Sequence, residues 1–219
     1  MTFKSLLLPT LLLLCLSCAR DPESYRPGKA GDQWTYQDSS FTNGNSMVRE
    51  RIERLGKDAQ LTTADGRTIR CRTVDILSNG EPLSRLWVED TGDELRIHRL
   101  DHLSADEVIR YDPYYPMLAD TRADSSSFIC LVLLAHGEDA EPYHRIEVGL
   151  DVFNRKDTLE INGAPRDVLV QTLREQGTAG MTYRNTWLKG FGLLDQEIEG
   201  SSAQYSSRSH IRLISPMPR

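Results

Sequence analysis

With 219 residues, 39% of them hydrophobic, the chain has material for one domain with a sizeable core. Its 32 acidic and 26 basic residues give a formal charge of −6, and the basic residues are scattered rather than striped, which argues against a nucleic-acid partner. Beyond the N-terminus the longest apolar run is Phe128 to Ala135, well short of the about 20 residues that carry a helix across a bilayer.

The opening MTFKSLLLPTLLLLCLSCARD has one lysine, Lys4, and then an apolar stretch from Leu6 to Leu16. A short basic start and a short apolar run ending in small residues make a secretory signal. Two cysteines compete at its end. Cys15 follows three leucines, which do not suit a small-residue cleavage pocket, whereas Cys18 follows Leu16-Ser17, which does. The segment resembles a bacterial lipoprotein signal, although Cys15 stands where such signals most often carry leucine. That resemblance implies removal of residues 1–17, lipidation of Cys18 with palmitate-type acyl chains, and attachment to a membrane. Ala19 after the cysteine, rather than Asp, implies outer-membrane sorting with the domain facing the periplasm. The alternative is an ordinary cleaved signal with two incidental cysteines.

Residues 18–31 contain ARDPESYRPGKAG, polar with two prolines and two glycines, and are expected as a tether. A β domain is expected over 32–215, with 216–219 as a tail. QWTYQ opens it, and NSMVRERIERL, GRTIRCRTVDIL, LSRLWVED and DELRIHRL follow, separated by KDAQ, SNGEP and EDTGDE. Turn residues every ten or so positions between period-two segments indicate antiparallel meanders. LSADEVIRY, with Ser104 as N-cap and Glu107 three residues on, suggests a short helix ended by Asp112-Pro113. YDPYYPMLAD then presents Tyr114, Tyr115, Met117 and Leu118 without strand periodicity. FICLVLLA reads as a buried strand on its length and its Ile and Val content. RIEVGLDV places Ile146, Val148, Leu150 and Val152 on one face of a half-buried strand. After a turn at NGAP, DVLVQTLRE opposes Leu169, Gln171 and Leu173 to Val168, Val170 and Thr172.

Cys71 and Cys130 remain in the mature domain. In an oxidising compartment they can pair, and a loop of about 60 residues closed this way adds about 4 kcal/mol in the chain-entropy model. Two buried free thiols are the alternative. His98 and His102 lie four apart in HRLDHL, but the segment alternates like a strand and lacks the HExxH glutamate, so no metal site is assigned. No GxSxG elbow, S-x-x-K motif, phosphate loop, GxGxxG or Cys-x-x-Cys is present, and neither catalytic residues nor a cofactor are assigned.

NTWLKGFGLLDQE, 185–197, is the most distinctive run. Tyr183, Asn185 and Trp187 share a strand face, and Gly190 and Gly192 flank Phe191. With the opening GDQWTY, this run resembles a group of uncharacterised bacterial envelope lipoproteins that begin Gly-x-x-Trp-x-Tyr and carry a late Trp-x-Lys-Gly-x-Gly-Leu. The resemblance covers about 25 residues beside the signal. It implies an antiparallel curved sheet of the kind found in lipid-handling and lipoprotein-carrier folds. The expectation is therefore a mainly β domain, a strongly curved sheet or incomplete barrel with one or two short helices. A concave face can hold a lipid or other apolar ligand, with Tyr114, Tyr115, Met117 and Leu118 as mouth or lid and Tyr183, Trp187 and Phe191 lining it. The residue-by-residue alternative is that these side chains are core. Two other functions stay open: a structural or assembly partner of another envelope protein, and a hydrolase whose carboxylates come from separate strands.

Overall fold

The computed structural model describes residues 24–216 apart from 139, 178, 179, 203 and 204. The signal, Cys15 and Cys18 lie outside the described residues, as does the end of the expected tail. Twelve strands follow one another: β1 Gln33–Thr42, β2 Asn45–Thr62, β3 Thr68–Ser78, β4 Glu81–Asp90, β5 Leu95–His102 and β6 Glu107–Leu118. The second half is β7 Ser125–His136, β8 His144–Ile161, β9 Ala164–Glu175, β10 Met181–Leu188, β11 Gly192–Ser202 and β12 Tyr205–Ser215. Each strand pairs antiparallel with its sequence neighbours, and β1 pairs with β12 from Thr35↔Ser215 to Thr42↔Ser207.

The barrel is closed. The incomplete barrel expected from sequence is corrected by that last ladder, which unites the two ends of the domain and removes both exposed edges. Nor is there a helix among the described residues. Ser104 sits in a tight turn, Asp106 at its end takes a left-handed φ of 49°, and Glu107 already begins β6. There Val108 and Ile109 go to opposite faces, a strand's alternation rather than a helix's. The expected break at KDAQ also falls inside a strand. β2 runs on to Thr62 with its register shifting between Leu55 and Asp58, and a Cβ on Gly56 would overlap Thr73 Oγ1. Asn-Gly pairs at 43–44, 79–80 and 162–163, all with positive φ, close three of the hairpins.

Twelve strands enclose more space than wall side chains alone can fill. Two segments help to fill it. Ser24 to Asp32 folds across one end, so the expected tether is docked from Ser24 onward. Gly31 N donates to Leu55 O at 2.8 Å, Gly190 N to Ser24 O at 2.9 Å and Arg72 to Gly28 O at 2.9 Å. Gly28 must lack a side chain there, because a Cβ would stand 2.9 Å from Leu55 Cδ1 and 3.3 Å from the Trp34 ring. The second filler is the 119–124 connection, which reaches to inward-facing Gln171 and Asn154. Ala119 N donates to Gln171 at 3.1 Å, and Asn154 donates to the carbonyls of Asp120 and Ala123 at 2.8 Å each.

To get there, β6 leaves β7. Their ladder ends at Asp112↔Leu131, so 113–118 pair only with β5 and 125–130 only with β8. Tyr114 packs on Phe128 across this seam, ring centroids 4.8 Å apart.

The main core lies toward the docked N-terminal segment and contains Trp34, Tyr36, Leu55, Leu95, Leu118, Trp187 and Leu213, all buried. Outward rows are charged instead, with Asp75–Arg85 at 2.6 Å, Arg99–Asp101 at 2.5 Å and Arg208–Glu199 at 3.3 Å. Among these charged pairs, Val48, Ile129 and Phe153 are exposed apolar side chains on the outer face.

Candidate functional site

Residues opposite one another in a ladder share a face. The row Leu55–Val74–Leu86–Leu100–Ile109–Leu134, carried from β2 round to β7, therefore points inward throughout. Its first three members are buried, while Leu100, Ile109 and Leu134 are only half-buried. A neighbouring inward row, Tyr111–Val132–Ile146, ends with Ile146 42% exposed. Inward-facing Tyr183 and Ile198 are half-buried as well. The half capped by the N-terminal segment thus holds the buried core, with a cleft left between that segment and β2–β5, and forms the sealed half; the walls of the other, open half are only partly buried.

A row of amides marks the boundary. Asn154, Gln171, Asn185 and Gln196 stand opposite one another across β8 to β11. Gln171 donates to Asn154 and Gln196 to Asn185, both at 2.8 Å. On β9 and β10 the sealed side of this row holds Leu169 and Trp187, and the open side holds Leu173, Glu175 and Tyr183.

The seven candidate lining residues separate accordingly. Tyr115 and Tyr183 meet on the open side, donating to the same Glu175 oxygen at 3.2 and 3.3 Å. Tyr111 packs against Tyr115, centroids 5.4 Å apart. Burial, and then neighbouring Glu175, pushes the Tyr183 hydroxyl up to about 12; burial likewise raises Tyr111 and Tyr115 far above the ordinary phenol range. All three remain protonated donors at neutral pH. Leu118 and Trp187 are core, and Tyr115, Met117 and Phe191 pack against the core. Tyr114 lies on the outer face beside His98 and Phe128, with Arg96 over its ring and its hydroxyl 3.3 Å from Glu94.

Cys71 and Cys130 are separate free thiols, both buried, on β3 and β7. Burial raises each to about 11, so neither is a thiolate at neutral pH.

No protein-family model matches the chain, and no curated protein does. Two solved structures are similar to it. One is a protein of Bacteroides fragilis inferred to be exported, with a YmcC-like fold; identity is 10%, coverage 88% of this chain and 99% of that one, and the TM-score 0.48. The other is a protein of Parabacteroides distasonis inferred to be a lipoprotein, at 10% identity, 87% and 98% coverage, and a TM-score of 0.44.

Three further groupings were not evident from the sequence. At the sealed end Glu53, fully buried, bonds Arg26 and also Arg51, the latter at 2.7 Å. Burial works to raise the Glu53 carboxyl, but the two guanidiniums outweigh it and hold it at about 2. Beside this group is a cleft of about 830 Å³ between the N-terminal segment and β2–β5, where Arg70 and Arg72 both engage Asp58. On the outer face, Asp195, Glu197 and His210 bring potential ligand atoms within 4.8 Å of one another, in a cleft of about 530 Å³ under the tip of the β8–β9 hairpin. Each already has a partner: His210 is 2.7 Å from Asp195 and Arg184 3.8 Å from Glu197. The D-x-E at 195–197 in an alternating segment was the only sequence signal for this group.

Proposed function

We propose that the protein is a non-catalytic bacterial envelope lipoprotein that holds a lipid or other apolar ligand against the inner wall of the open half of its barrel. The observation that carries this reading is the inward row Leu100–Ile109–Leu134, continuous with buried core yet only partly buried. Apolar wall left in contact with water costs about 25 cal/mol per Å², and an apolar guest recovers part of that. The lipoprotein part rests on the signal and Cys18. A lipid there stands a few residues before Ser24, at most about 20 Å of extended chain from the sealed end. The open half then points away from the anchoring membrane.

N-phenyl-1-naphthylamine, whose fluorescence rises in apolar surroundings, tests the reading on the exported domain. The expected result is saturable enhancement that is lost in Val132→Arg, which puts a charge on the inner wall, and kept in Arg70→Ala, outside it. No enhancement, or enhancement indifferent to Val132→Arg, would refute it.

A further inference from the structure

The inner wall carries few charges. Arg49 is bonded to Asp38 at 2.7 Å and Arg51 to Glu53 at 2.7 Å, so these cations are matched by acids. Glu175 is different. It faces inward beside Leu173 and opposite fully buried Leu150, is itself half-buried, and among the described residues has no Arg, Lys or His partner. Only the hydroxyls of Tyr115 and Tyr183 reach it, and both donate to one oxygen, Oε1. Its second oxygen has no donor among the described residues. The apolar surroundings, Tyr111, Cys130, Leu173 and Val152, make an unmatched carboxylate costly and a cation or hydroxyl brought to it correspondingly favourable.

We infer that Glu175, held by the Tyr115 and Tyr183 hydroxyls, selects the head group of the apolar ligand: an amphiphile with an amine or hydroxyl head is accepted, and one with a carboxylate head is rejected. This rests on the reading of the open half as a ligand site. Both tyrosines are already committed as donors to Glu175, so they do not serve as donors for an incoming anion. Like charge at short range in a poorly solvated site adds a direct penalty. The head group donates to Oε2 while the chain lies along Ile109, Val132 and Ile198.

Three single-chain amphiphiles, dodecylamine, 1-dodecanol and sodium dodecanoate, are titrated at pH 7.4 below their micelle concentrations to displace N-phenyl-1-naphthylamine. The expected order is amine, then alcohol, then carboxylate, with at least a tenfold gap between the first and last. Glu175→Gln should collapse that gap to under threefold while still binding the fluorophore, which also shows that the variant is folded. Should the variant not fold, the order in the unaltered protein decides alone. Dodecanoate binding as tightly as the amine, or an order unchanged in Glu175→Gln, would overturn the inference and leave the apolar-ligand reading standing. Failure of the fluorophore and all three amphiphiles to bind would overturn both.

Discussion

The two halves of the barrel are built from the same strands and differ in what fills them. At the sealed end, tryptophans from β1 and β10, leucines from seven strands and the docked Ser24–Asp32 segment leave main-core side chains below 10% exposure. Beyond the amide row, the same β5, β6 and β7 present Leu100, Ile109, Val132 and Leu134 half-covered. Wall composition therefore does not decide whether a twelve-stranded lumen closes; the fillers do. The N-terminal segment serves the sealed side, while the 119–124 connection lies at the boundary, bonding the amide row and packing Ala119 against Val152, Leu173 and Tyr183.

Breaking the sealed half should cost most. Glu53→Ala leaves Arg26 and Arg51 without their acid, and about 3–5 kcal/mol of unfolding free energy should vanish from urea titrations. A pH dependence accompanies it. The Glu53 carboxyl is depressed in the folded state, so its contribution is complete above the ordinary carboxylate range and is lost as pH falls from about 5 toward about 2. Glu53→Gln should flatten the stability profile in that window; an unchanged acid limb would mean the ion group is not the sensor. Leu118→Ala, at a fully buried position, should cost about 2–5 kcal/mol in the same titration.

The boundary should cost less. Gln171→Ala strands Asn154 and the Ala119 amide, with a loss of about 1–3 kcal/mol and faster hydrogen exchange at Ala119. The smallest effect belongs to the open half. Ile109→Ala should lower stability by less than Leu118→Ala does, since part of the side chain is already exposed, yet weaken fluorophore binding several-fold. Equal losses for Ile109→Ala and Leu118→Ala would erase the distinction between the halves.

Much of the wall was legible in the sequence. The face shared by Tyr183, Asn185 and Trp187 and the inward set Leu169, Gln171 and Leu173 follow from period two, and the structure has both. The β1–β12 ladder was not legible, because pairing between the first and last strands leaves no local pattern. YYPML looked irregular because β6 leaves β7 midway, so half its length has one ladder partner instead of two. Tyr115 and Tyr183 could be nominated as bulky aromatics, but Glu175, which joins them, is one carboxylate among many until the strands are closed. Arg26 was hidden similarly: a polar, Pro- and Gly-containing segment reads as a tether, and only the buried Glu53 across from it makes it a plug.

The most direct test of the two-halves account is mass spectrometry of residues 19–219 exported to a bacterial periplasm, recorded native and then denatured. The account predicts a native mass above that of the polypeptide by a lipid-sized adduct that denaturation removes, and that is absent from Val132→Arg. A bare native polypeptide, or an adduct that Val132→Arg retains, would contradict it.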